Sequence, residues 1–277
     1  MKFSADAVIL VFIVSSVLSI GVNLTVTQIV ASLRFHLVAA AIVANFVIVP
    51  LAAVWIAKLV SLDEAQAAGL ILLGAAAGAP FLPMLVETAS GNVPASVALT
   101  VLLLLISPVY LPLVLPRIVP GVSVDAWQMA WSLLVSMLLP LATALAVKAY
   151  RESWAARLRP VFRNISHVSL AVAMVLVPLM HARGIADLDL SRAFPASLLF
   201  MGVSFGVGYT LGGRSRDLRP VLGFGTATRN YSVAILIGSQ SFEDPNVERM
   251  ILIMTFLALL TLIPAAIVGR QLRRRDT

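Results

Sequence analysis

There is no cysteine in the 277 residues, so disulfides, thiolate metal sites and cysteine nucleophiles are excluded. Charge is scarce as well: Asp, Glu, Lys and Arg make up 12% of the chain, where a soluble domain carries about 25%. The three histidines, His36, His167 and His181, are too scattered to hold a metal. No phosphate-binding glycine loop is present, which argues against ATP coupling. Nor does any His or Asp fall in the middle of an apolar run, where an intramembrane enzyme would need a base beside its nucleophile. The chain is therefore expected not to be an enzyme.

What is abundant is apolar surface: 60% of the residues are hydrophobic and the mean hydropathy is +0.99. Hydrocarbon is the natural solvent for such a chain, and a helix needs about 20 mostly apolar residues to cross it. Nine apolar segments can be marked, at 6–24, 36–59, 65–87, 92–115, 126–147, 162–181, 193–212, 219–239 and 248–269. They predict an all-α membrane protein with about nine transmembrane helices. It forms one transmembrane domain over residues 1–277, with a first half at about 6–115 and a second at about 126–270. The first segment follows a single early charge, Lys2; it is longer than a signal-peptide core and lacks an A-x-A site, so a retained helix is expected.

The net charge of +7 is explained by topology and not by a nucleic-acid partner. With the N-terminus outside, thirteen basic residues fall on the cytoplasmic side and six on the other, while acidic residues divide three against nine. Five of the thirteen (Lys148, Arg151, Arg157, Arg159 and Arg163) lie between the fifth and sixth segments. The positive-inside rule thus predicts a multi-pass protein of the inner or plasma membrane with its N-terminus outside and its C-terminus cytoplasmic. The Arg273-Arg274-Arg275 tail reads as an orientation signal with affinity for anionic lipid.

Two charges remain, Glu87 and Arg229, inside or at the edge of apolar segments, where ionisable groups usually face a cavity or a partner. Both belong to unusual segments. The third reads Gly74-Ala-Ala-Ala-Gly78-Ala-Pro80-Phe-Leu-Pro83, and its prolines remove backbone donors. The eighth reads Gly223-Phe-Gly225-Thr-Ala-Thr-Arg229-Asn230, a polar stretch within a span. Each is second to last in its half, and the step of five from the third segment to the eighth, being odd, inverts one half against the other. Paired interrupted helices in inverted halves point to a transporter's midplane site. The expected unwound backbone is Pro80, Leu82, Pro83 and Gly225.

With these segments on the page, the chain resembles the bile acid:sodium symporter superfamily. The resemblance rests on Gly21-Val-Asn-Leu-Thr25, Asn45-Phe-Val-Ile-Val-Pro50, Ser90-Gly91-Asn92-Val-Pro-Ala-Ser96-Val-Ala-Leu-Thr100 and Thr228-Arg229-Asn230. It implies inverted repeats (here 4 + 5), and a panel and a core domain with two crossing broken helices. By that analogy the first, fifth and sixth segments form the panel and the rest form the core.

The resemblance also implies sodium sites, and here the chain departs from it. A Ser-Asn pair of the family matches Leu82-Pro83, which offers no side-chain oxygen. A shared glutamate falls on Gly225 and a glutamine on Arg229. Ser96, Thr100 and Asn230 are kept, and Asn45 replaces a further glutamine. A hard cation prefers carboxylate oxygen, and here a permanent guanidinium has arrived instead. Sodium coupling is therefore expected to be lost or weakened, with Arg229 standing in for the cation, and no cofactor is expected.

The substrate- or ion-binding candidates are Arg229, Asn230, Thr228, Thr226, Ser96, Thr100 and Asn45, with Glu87 a possible titrating group and partner for Arg229. Asn23, Thr25 and Thr27 are expected to face the cytoplasmic cavity, and the histidines to be interfacial. The leading expectation is a secondary transporter of a small organic anion working by alternating access, with no oligomer required. The alternatives are a sodium-coupled symporter for a bile-acid-like or other carboxylate, a channel, and a non-transporting membrane sensor. Arsenite efflux, another activity in the superfamily, uses a cysteine that this chain lacks.

Overall fold

The computed structural model describes residues 2–23, 25–32, 35–119, 126–186 and 189–275, and every regular element among them is helical. The first half contains α1 (Lys2–Gly21), α2 (Val26–Ser32), α3 (Phe35–Val43), α4 (Val49–Leu59), α5 (Glu64–Ala75), α6 (Leu82–Thr88) and α7 (Val93–Ile118). The second contains α8 (Ala126–Leu133), α9 (Leu139–Tyr150), α10 (Glu152–Ala186), α11 (Leu190–Leu211), α12 (Leu218–Ala227), α13 (Tyr231–Ser241) and α14 (Pro245–Arg275).

Two long helices contain one wide π turn each, at Ala44–Ile48 between α3 and α4 and at Leu134–Leu138 between α8 and α9. In both cases a proline, Pro50 or Pro140, is the second residue of the helix that follows. A proline has no N–H to donate, and the ladder resets around the gap without breaking.

Five helices are long and apolar enough to cross a bilayer: Phe35–Leu59, Val93–Ile118, Trp127–Tyr150, Leu190–Leu211 and Pro245–Gln271. A sixth span results if Leu10–Gly21 and Val26–Ser32, bent by 83°, are taken together. Large apolar side chains such as Leu51, Trp55, Val109 and Trp131 are exposed on their outer faces. That much apolar surface is stable against lipid and not against water. The chain is a multi-pass membrane protein.

Each of the nine apolar segments falls on helix, and one boundary differs enough to matter. The connection expected between the fifth and sixth segments is not a loop. Tyr150 ends α9, Arg151 alone intervenes, and α10 begins at Glu152, ten residues before the apolar run. The extra turns contain Ala, Leu and Arg, which are strong helix formers. Their polar faces keep them below any hydropathy threshold, which is why the sequence reading missed them.

Helix α1 lies along α10 and α9, while α5 packs on α4 and α14, and α11 packs on α12 and α14; α10 also touches α14, and α1 touches α13. The α11–α12 contact depends on Gly208: a Cβ there would collide with Thr226 Oγ1 and the Leu222 carbonyl. Helix α6 packs on α7, α12 and α14.

Candidate functional site

Helix α5 is started by Asp63, whose carboxylate accepts the Gln66 N–H at 2.7 Å, and it stops at Ala75. Residues 76–81 are not helical. Gly78 turns the chain with φ +93°, a conformation that L side chains rarely adopt, and a Cβ there would press on Leu103 and Leu104 of α7. The second break is shorter. Helix α12 ends at Ala227, residues 228–230 are unwound, and the Asn230 side chain starts α13 by accepting the Val233 N–H at 3.2 Å.

Of the four residues expected to be unwound, only Pro80 lies in a break. Leu82 and Pro83 are the first two residues of α6, where a missing N–H costs nothing because no carbonyl precedes it in the helix. Gly225 is helical, and its role is close packing: a Cβ there would lie 2.7 Å from Leu99 Cδ2 and 3.4 Å from Leu82 Cδ2.

The breaks meet each other. The Asn230 N–H donates to the Ala76 carbonyl at 2.8 Å. The rings of Phe81, the last residue of the first break, and Tyr231, the first residue after the second, stack with centroids 6.0 Å apart. The carbonyls freed by unwinding are taken up by neighbours; Ser107 of α7 donates to Ala77 O at 3.0 Å. Ala76, Ala77, Thr228, Arg229 and Asn230 are all buried.

Arg229 is the largest fully buried side chain among the described residues, with 0% exposure. Its Nη2 donates to the Thr226 carbonyl, while Nε and Nη1 have no hydrogen-bond partner among the described residues. The tyrosines Tyr110 and Tyr231 lie within its electrostatic reach. Glu87 is not its partner: the carboxylate is exposed and no ion pair joins the two. The guanidinium's one hydrogen bond among the described residues goes to backbone, the Thr226 carbonyl at the C-terminal end of α12. The C-terminal ends of α5 and α12 converge at the Asn230–Ala76 bond, and such ends carry partial negative charge.

The remaining polar candidates are buried and bonded within or between helices. The Thr226 hydroxyl donates to Ser204 O of α11 at 2.7 Å and Thr228 donates to Phe224 O at 2.6 Å. Ser96 donates to Val93 O, Thr100 to Ser96 O, and Asn45 Nδ2 to Ala41 O, so each is turned onto its own helix. Asn45 Oδ1 and Asn230 Nδ2 have no partner. The structure brings Thr226, Thr228, Arg229 and Asn230 together with the first break; Asn45 sits on the π turn.

A cavity of about 290 Å³ opens beside the first break. One wall is α1, with Phe12, Ser16, Ser19 and Asn23; a second is α10, with Arg159, Arg163, Ser166 and His167. The third runs from Pro80, Phe81 and Pro83 through Met84 and Glu87 to the start of α7. Ser16 and Ser166 hydrogen-bond at 2.6 Å across the first two walls. Of the expected site residues, only Pro80, Pro83 and Glu87 line this space; Asn23 does too, whereas Thr25 and Thr27 do not. His36 lines a different pocket and the His181 side chain lies outside the described residues. Arg159 and Arg163 were read in the sequence only as orientation charges. Their spacing of four, continued by His167, was the available signal, hidden because the segment was started at 162. A smaller pocket of about 130 Å³, lined by Gln128, Ser132, Gln240 and Ser241, lies at the other end of the helix Trp127–Tyr150.

A multi-pass helical protein in which two helix breaks join through their unwound segments, beside a cavity with charged and polar lining, has features of a membrane transporter. The chain matches the Sodium Bile acid symporter family over residues 8–188 and belongs to that family. Members are secondary transporters of the bile acid symporter type and not enzymes. The match runs from α1 through α10, so the second break and Arg229 lie beyond it. Comparison with curated proteins gives no match.

Proposed function

We propose that this protein carries a small organic anion across the membrane by alternating access, and that Arg229 is a built-in cation in place of coupled sodium. The observation that carries the reading is Arg229, fully buried in the second break, next to the Asn230–Ala76 bond, with its guanidinium donating to the Thr226 carbonyl at the C-terminal end of α12. A cation is favoured there, and a tethered one need not be supplied from solution. The surroundings do not fit sodium. Leu82 and Leu99 pack beside Gly225, and neither these side chains nor Pro83 offers the oxygen that a hard cation needs. Nine crossings with the N-terminus outside place the larger cavity on the cytoplasmic side and the 130 Å³ pocket on the other. In that arrangement α1, α8–α9 and α10 are the panel that moves against the rest.

The test is uptake of organic anions into proteoliposomes with and without an imposed sodium gradient. Equal rates support a sodium-independent carrier. A steep sodium dependence removes the role given to Arg229 and returns the chain to the ordinary coupling of its family, the second reading that membership favours.

A further inference from the structure

The cavity holds charges that the crossing of the breaks does not use. Arg159, Arg163 and His167 stand four residues apart on α10 and so share one face of that helix. Glu87 lines the same cavity from α6. All four are exposed, and none makes an ion pair or side-chain hydrogen bond among the described residues. Two guanidiniums against one carboxylate leave a single positive charge, counting His167 as neutral. The flank beside them is apolar, formed by Phe12, Ile20 and Met84.

We infer that Arg159 and Arg163 are the pair that takes the carboxylate of a transported monoanion, and that Glu87 sets charge selection by repelling a second carboxylate. The inference rests on the carrier reading and names its substrate class. Guanidinium and carboxylate pair through two parallel hydrogen bonds, which fixes orientation as well as charge. A monoanion brings the lining to neutrality. A dianion would place its second charge in a space that already holds Glu87, and like charges at close range disfavour one another. The volume is at the low end for ligand sites, about 300–1,000 Å³, so the molecule is small, with its apolar part against Phe12, Ile20 and Met84.

The experiment is thermal stabilisation of the purified full-length chain by two matched sets of acids: butyrate, valerate and hexanoate against succinate, glutarate and adipate. At least one monocarboxylate should raise Tm more than the dicarboxylate of equal length. Arg159→Gln and Arg163→Gln should each raise the half-saturating concentration by about tenfold or more, the loss expected for a charge-assisted pair. Glu87→Gln should bring the dicarboxylates level. The absence of cysteine allows a readout that needs no substrate. An Asn23→Cys thiol in the cavity should react with an anionic methanethiosulfonate about tenfold faster than with a cationic one, and the Arg159→Gln/Arg163→Gln pair should abolish that preference.

The inference is overturned if no acid stabilises the chain, if dicarboxylates do so better, if the double variant responds like the parent, or if the thiol shows no charge preference. Anion uptake that survives the double variant would overturn it and leave the carrier reading standing. A charge-selective cavity in a chain with no anion flux would do the reverse.

Discussion

The backbone N–H of Asn230 donates to the carbonyl of Ala76 at 2.8 Å, joining residues 154 positions apart through the breaks between α5 and α6 and between α12 and α13. Unwound backbone in lipid must find partners inside the protein. Here each break supplies one for the other, and the same residue that makes the bond caps α13 with its side chain.

Asn230→Ser should be tolerated, because serine caps a helix and keeps the N–H. Asn230→Pro should not, because it removes the donor to Ala76 O while its φ, near −80°, still suits proline. Unfolding in detergent should show the proline variant less stable by about 1–3 kcal/mol. Equal stability of the two would mean the bond between the breaks contributes nothing.

Arg229→Ala removes the buried charge at the C-terminal end of α12. Uptake should fall by about tenfold or more, since loss of about 1.4 kcal/mol at a required step is already tenfold. Stability should change less than function, because removing a desolvated charge relieves its burial cost. Transport at the parental rate in this variant would defeat the proposed role.

Gly208→Ala and Gly206→Ala lie two residues apart, on nearly opposite faces of α11, and should have opposite effects. A Cβ at 208 would strike Thr226 Oγ1 and the Leu222 carbonyl, whereas at 206 nothing lies within 4 Å. The first should destabilise by about 1–3 kcal/mol through overpacking. The second should be neutral or stabilising by up to about 1 kcal/mol, as alanine favours helix. Melting temperatures of the two proteins decide the point.

Ser16→Ala and Ser166→Ala each leave one hydroxyl without its 2.6 Å partner between α1 and α10. Each should cost about 1 kcal/mol, and the double variant less than their sum. Strict additivity in denaturant would show that the two hydroxyls act independently.

Asp189, at the start of α11, is held below the ordinary carboxylate range, first by the Ser191 hydroxyl and then by the Ser191 N–H and Arg192. A lowered folded-state value means this contribution is complete above the unfolded value, about 3.9. It is then lost as pH falls through the folded one. The group is exposed to solvent, so the effect is small and screened. Asp189→Asn should lower stability slightly at neutral pH and flatten the acid limb of the stability–pH curve below about pH 4, so that parent and variant converge in acid; equal stability at neutral pH would show that the carboxylate contributes nothing.

Composition alone decided that this chain lives in a membrane, because so much apolar surface has no place to hide in water. Local chemistry decided where its helices falter: Gly78 with Pro80 in the third segment and Thr228-Arg229-Asn230 in the eighth were legible as interruptions. Two things were not. Which residues actually unwind depended on packing, so Gly225, Leu82 and Pro83 proved helical once neighbours had filled the space around them. And the cavity's basic face needed three helices to converge. Arg159 and Arg163 carry one kind of charge whether they sit on a cytoplasmic loop or line a cavity wall. Only the extension of α10 back to Glu152, laid against α1 and facing Glu87, turned them from a topological signal into a lining, since proximity across the chain is not a local property.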